Sequence, residues 1–218
     1  MQELYRRKNK MLVVTNYQEE ILTGSLLGDA YITTRGQIQF EQSIHQKEYL
    51  FWKHQELSSI SYKNVSFVKR FDKRYQHENF SCRFWTRQYF ISWRQKYYLK
   101  DKKIIPRDIQ LTPLSLAIWY MDDGCYSDNK CIIATDGFSQ EEICFLQKLL
   151  FKKFNIKSSV KNKLKILIKK ESIKTFFSLI RPYIISSMLY KISDPVTTSR
   201  KRDGALKLHN TSVPRFAR

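Results

Sequence analysis

Apolar and polar positions along the chain alternate between helical and strand patterns in a repeating order. Residues 17–28 read as an apolar helix, with Asn16 as N-cap and Glu19 three residues on, at capping-box spacing. The segment QIQFE at 37–41 alternates, the period of a half-buried strand. Residues 46–57 read as a second helix. The runs VSFVKRF (65–71) and FSCRFWT (80–86) read as strands, and 88–98 as a closing helix. A charged connector, KDKKIIP at 100–106, ends in proline. The order then recurs. Thr112 caps a helix with Pro113 at its first position. A strand at 130–135 follows, then a helix from about 139 with Ser139 as cap and Glu142 at capping-box spacing. Strands at 157–161 and 164–168 flank a turn at Asn162 and Lys163, and a helix at 171–180 stops near Pro182. The expectation is an α+β chain of two αββαββα halves, 17–106 and 107–195. A basic arm at 1–16 precedes them, and a basic tail at 196–218 follows.

The two halves share a short motif. LTGSLLGDA at 22–30 and LAIWYMDDG at 116–124 align so that Asp29 falls on Asp123, Glu48 on Glu142 and Phe51 on Phe145. Glycine inside a helix costs about 1 kcal/mol relative to alanine, yet Gly24 and Gly28 stand four apart on one face. Such a face admits the backbone of a second helix at close range. If the two motif helices lie parallel, Asp29 and Asp123 become neighbours, and like carboxylates at one point are unfavourable unless cations bind. Hard divalent ions take carboxylate and carbonyl oxygens and keep several waters. The metal set is therefore Asp29 and Asp123 with the preceding Gly28 and Asp122. The Asp122 side chain itself aligns with Gly28, one residue out of register, and reads as structural.

Charge narrows the partner. The 218 residues carry a formal net charge of +19. Self-repulsion of that size asks for a polyanion, and nucleic acid is the usual one. Cys82, Cys125, Cys131 and Cys144 form no C-x-x-C pair, and no histidine pair stands at zinc spacing, so neither a zinc site nor a disulfide framework is expected. No apolar run is long enough to span a membrane, and the N-terminus lacks the apolar core of a secretory signal. The richness in Lys, Ile, Phe and Tyr points to an AT-rich, organellar gene.

The motifs LLGDA and WYMDDG, with their spacing and the strand–helix order over about residues 15–195, resemble the single-chain, two-motif LAGLIDADG homing endonucleases, in the variant of yeast mitochondrial introns. The resemblance implies two pseudo-twofold-related αββαββα halves whose antiparallel sheets form a saddle on double-stranded DNA. It also implies a Mg²⁺-dependent double-strand cut across the minor groove that leaves short 3′ overhangs, with Mn²⁺ as a substitute, by a monomer. Ile118 departs from the family pattern, which has a small residue there; Gly24 and Gly28 opposite could accommodate it. Lys103 and Lys191 stand 74 and 68 residues after their aspartates, where the family has lysines that support catalysis. A lysine there can offset charge developing on a phosphate or position the attacking water.

For the DNA surface, strand 37–41 would expose Gln37, Gln39 and Glu41. Lys69, Arg70, Lys73 and Arg74 cluster at one hairpin tip with Arg83 on the return strand, and Lys161, Lys163 and Lys165 mark the matching hairpin. Glutamine and arginine suit adenine and guanine in the major groove. The unlike halves imply an asymmetric target. The competing reading is an intron RNA maturase or a non-cleaving nucleic-acid binder of the same fold, with intron RNA as partner. A basic ribosome-associated protein would leave the repeated acidic motif without a reason.

Overall fold

The computed structural model describes residues 3–7, 10–74, 76–162 and 164–192. Lys163 and the expected tail at 196–218 lie outside the described residues. The N-terminal arm pairs as an antiparallel hairpin, β1 (Glu3–Arg7) with β2 (Lys10–Val14). Leu12 and Val14 anchor it in the core. Helix α1 (Asn16–Leu27) is capped one residue earlier than the sequence suggests. The Thr15 hydroxyl accepts the Gln18 N–H, and the Gln18 side chain accepts the Thr15 N–H. Gln18 can serve because it is buried and also donates to Glu56 O and Ser59 Oγ, which fixes its amide.

The first half continues with β3 (Tyr31–Ile32), β4 (Ile38–Ser43), α2 (Lys47–Glu56), β5 (Ser66–Asp72), β6 (His77–Trp85) and α3 (Ile91–Tyr97). Its antiparallel sheet has the order β3-β4-β6-β5. The closing helix is shorter than 88–98 because the preceding turn bonds elsewhere: Phe90 N–H donates to Gly36 O and Tyr89 N–H to Arg87 O. The connector is not plain loop. Lys100 and Asp101, both at positive φ, turn a small hairpin of β7 (Tyr98–Leu99) and β8 (Lys102–Lys103).

The second half has α4 (Pro113–Asp123), β9 (Gly124–Ser127), β10 (Lys130–Ala134), α5 (Gln140–Phe154), β11 (Ser158–Lys161), β12 (Lys165–Ile168) and α6 (Lys170–Ile180). Its sheet order, β9-β10-β12-β11, repeats that of the first. Each half is thus αββαββα, the α+β plan expected. Within the two repeats, the strands the sequence pattern does not locate, β3 and β9, have two and four residues, too few to show an alternation. Glu142 forms the foreseen box with Ser139 and also accepts the Ile105 N–H from the connector.

Helices α1 and α4 sit at the centre, side by side and parallel. At their starts the Thr112 hydroxyl donates to Glu20 at 2.7 Å; at their ends the Asp29 N–H reaches the Asp122 carboxylate at 3.4 Å. A Cβ on Gly24 would lie 2.4 Å from Ser115 O and 2.8 Å from Ile118 Cβ, so glycine is required for this approach. Ile118 is fully buried against it. Leu22, Leu26, Leu116, Ala117, Trp119 and Met121 complete the core between the sheets. All four cysteines are free. Among the described residues no helix is long and apolar enough to cross a membrane.

Candidate active site between the two halves

The parallel helices deliver both acidic motif ends to one place. Asp29 follows α1 and is exposed; Asp123 is the last residue of α4 and is half-buried. Burial, then Asp29 and Asp122, push the Asp123 carboxyl up to about 7, against the pull of Lys103 and Lys191. Two lysines reach these motif ends. Lys103, on β8, donates to the carbonyls of Gly28 and Ala30, both at 2.8 Å. Lys191 donates to the carbonyl of Asp122 at 2.9 Å, and its own carbonyl accepts the Tyr120 hydroxyl at 2.8 Å. Gly28 and Asp122 are equivalent in the motif alignment, so the two lysines make the same contact on the two halves. Burial lowers Lys103 to about 8 and lowers Lys191 as well, while the three aspartates oppose the shift.

Asp122 is different in kind. Its side chain is fully buried and ion-paired with Lys53, whose Nζ lies 2.8 and 3.0 Å from the two carboxylate oxygens. Burial is the largest influence on the Asp122 carboxyl and raises its pKa; Lys53 pulls the other way. Of the expected metal set, Asp122 therefore offers its carbonyl, not its carboxylate. The oxygens gathered here are the Asp29 and Asp123 carboxylates and the Gly28 and Asp122 carbonyls, the two carbonyls accepting from Lys103 and Lys191. All are hard oxygens, the kind that Mg²⁺ takes while keeping waters. Among the described residues no group of three or more His, Cys, Asp or Glu side chains is arranged to hold a metal ion.

Two side chains here escaped the sequence reading. Gln42, on β4, donates to Asp29 at 2.8 Å and to Asp122 at 3.3 Å. Lys53 is 1% exposed, an unusual state for a lysine. The only hint in the sequence was that Gln42 continues the alternation of Ile38 and Phe40 inward. Nothing local marks Lys53, because its partner is 69 residues away.

The sheets flank this point, and the expected DNA-contact residues divide. Cross-strand partners share a face. Glu41 faces Arg83, and Arg70 faces Asn79 on the same side. Glu41 is tied by Arg70, Ser81 and Arg83, and the Arg70 bond foremost holds its carboxyl below the ordinary range. Gln39 is not exposed as expected: it is 8% exposed, accepting from the Tyr31 hydroxyl and donating to Glu41. Tyr31, its cross-strand partner, and Glu41, two residues on, share its face and bond to it. Gln37 is half-buried at the sheet's edge. Lys69 is opposite Phe80 on the other face, where it pairs with Glu78, and so leaves the Arg70–Arg83 set. Lys73 and Arg74 are exposed at the hairpin tip. In the second half, Lys161 and Lys165 are direct cross-strand partners, on the face that also carries Ala134. Like charges so opposed are destabilising without a counter-charge.

Residues 19–176 match the model of the LAGLIDADG DNA endonuclease family. The chain belongs to that family. It is 32% identical over 199 residues to the cytochrome b mRNA maturase bI2 of Saccharomyces cerevisiae, covering 80% of this chain and 47% of that protein. The chain thus spans about half the length of that relative. It is 29% identical over 213 residues to the DNA endonuclease I-ChuI of Chlamydomonas applanata, covering 83% of this chain and 96% of that one. The solved structure of the homing endonuclease I-WcaI bound to its DNA recognition sequence superimposes with a TM-score of 0.76 at 28% identity, over 83% of this chain and 87% of that one.

Proposed function

We propose that this LAGLIDADG protein is a site-specific homing endonuclease that cuts both strands of a long, asymmetric double-stranded DNA target, leaving short 3′ overhangs and promoting mobility of its intron. It acts as a monomer, is encoded in an organelle, and depends on Mg²⁺, for which Mn²⁺ can substitute. The observation that carries the reading is the convergence of Asp29, Asp123, Lys103 and Lys191 at paired helix ends between two basic sheets. A relative named as a DNA endonuclease and a neighbour solved on its recognition sequence support it.

Divalent ions bound there would activate water and stabilise the leaving 3′ oxygen. Asp29 and Asp123 would hold them from the two halves, with the Gly28 and Asp122 carbonyls beside them. Lys103 and Lys191 offset charge developing on the scissile phosphates, one for each strand. Arg70, Arg83, Lys73, Arg74, Lys161 and Lys165 grip the duplex.

The test is cleavage of the intron-lacking allele in Mg²⁺. Asp29→Asn and Asp123→Asn should each slow it by about 10²–10³-fold or more while specific binding persists. Wild-type rates in either would sink the assignment. A second reading, intron RNA maturase, is supported by the relatives named as mRNA maturases. Splicing of the host intron at an undiminished rate by the Asp29→Asn protein, whose cleavage is suppressed, would establish it as a separate activity.

A further inference from the structure

The two acidic ends are supported unequally. Beneath Asp29 lies a continuous chain of polar contacts that crosses from one half to the other. Lys53, from α2 of the first half, holds both oxygens of Asp122, from α4 of the second. Its Nζ lies 4.3 Å from the centre of the Tyr49 ring, and Tyr49 donates to Ile118 O at 3.3 Å. So the lysine is packed as well as paired. The anchored carboxylate then receives the Asp29 N–H on Oδ2 and the Gln42 amide on Oδ1. The same Gln42 amide donates 2.8 Å to Asp29 Oδ2. Asp29 is thus fixed at its backbone and at its side chain by groups that trace back to one buried ammonium.

No such chain serves Asp123. The alignment that places Asp29 on Asp123 puts Gly28 where Asp122 stands, and Gly28 has no side chain to anchor. It puts Gln147 where Lys53 stands, and Gln147 donates to Ser158 on its own half. Among the described residues none donates a hydrogen bond to the Asp123 carboxylate.

We propose that Lys53 is a positioning residue for Asp29. It pins the Asp122 carboxylate below the site, out of the donor set. Through that carboxylate and Gln42 it fixes the Asp29 oxygens, on one half only. The inference rests on the endonuclease reading and adds that the two scissions differ in their dependence on this scaffold. A displacement of about 1 Å in a reacting group can cost about 10²-fold in rate, so loosening Asp29 should be visible.

The experiment follows both strands of the intron-lacking allele separately, and measures Mn²⁺ affinity of the DNA-free protein by electron paramagnetic resonance. Lys53→Met leaves a carboxylate buried without its cation. Gln42→Ala cuts the chain one link later and leaves the ion pair whole. Both should slow one strand at least about tenfold more than the other. Nicked duplex should then accumulate, and Mn²⁺ binding should weaken, with DNA affinity in the absence of divalent ions unchanged. Gln42→Ala should do so at a wild-type melting temperature, which keeps the test valid if Lys53→Met folds poorly. Lys53→Met with Asp122→Asn removes both charges but keeps one acceptor where the carboxylate offered two, so the strand bias should shrink below that of Lys53→Met without vanishing. Balanced, wild-type cleavage by Gln42→Ala would overturn the proposal. So would a strand bias in the double variant as large as that of Lys53→Met. A wild-type chain that cuts no DNA would instead remove the endonuclease reading, and the Mn²⁺ affinities would still decide the role of Lys53.

Discussion

The two central helices come from the same motif and have become opposites. Helix α1 supplies the hollows, Gly24 and Gly28; helix α4 supplies what fills them, Ile118 and Asp122. A Cβ on Gly28 would stand 2.5 Å from Asp122 Cβ. Two copies of α1 would leave gaps, and two copies of α4 would collide. The sheets have diverged too. The first presents a bonded polar network of Gln39, Glu41, Arg70 and Arg83; the second presents opposed lysines beside Ala134. Duplication set the plan, and complementarity then made each half dependent on the other.

That dependence can be broken at its most costly point first. Asp122→Ala removes the partner of a lysine that is 1% exposed. Breaking a buried pair on one side costs about 3–5 kcal/mol, so chemical denaturation should show a loss of that order. The equivalent Gly28 carries no charge to lose. A loss below about 1 kcal/mol would mean that the pair is not buried in solution.

The hollow and its filler come next. Gly24→Ala should destabilise by about 1–3 kcal/mol through overpacking against Ser115 O and Ile118. Adding Ile118→Ala should give back part of that loss, because it clears one of the two obstructing groups. A strictly additive double mutant, measured in the same denaturation series, would show that the two residues do not meet.

Asp123 offers a pH signature. Its carboxyl titrates at about 7 in the folded chain against an ordinary 3.8. A raised carboxyl favours the protonated folded state. The metal-free protein should therefore lose stability as pH rises from about 4 to 7, with no further loss from this group above that. Asp123→Asn should flatten this part of the melting profile, and saturating Mg²⁺ should offset it at pH 7 and above. A wild-type profile that matches Asp123→Asn throughout would contradict the assignment.

The smallest effect separates the sheet faces. Lys165→Gln should reduce the slope of log affinity against log salt by about 0.9 for DNA binding. Lys69→Gln, on the opposite face of the other hairpin, should leave the slope unchanged. Equal changes in both would mean that charge acts without regard to face.

These tests also separate what the sequence could reveal from what it could not. The element order, the central helices and the meeting of Asp29 with Asp123 were legible because the same residue types occur twice at matched spacing, whereas Lys103 and Lys191, 74 and 68 residues after their aspartates, were legible only through the family resemblance. Ser139 with Glu142 was legible because a cap is local. Thr15 displaced Asn16 because the choice turned on Gln18, whose burial depends on Glu56 and Ser59. Lys53 and Gln42 were illegible for the same reason: their meaning lies across the interface. The face of Lys69 was illegible because strand register decides which way a side chain points, and one residue reverses it.

Glu142 carries a last consequence. Its carboxylate closes the first turn of α5 and also receives the Ile105 N–H, so the segment joining the halves is fastened to the second half. A tethered partner is present at an effective concentration near millimolar for a short flexible link. A latched link fixes orientation as well. Dilution cannot part these halves, and each Asp29 meets the Asp123 of its own chain.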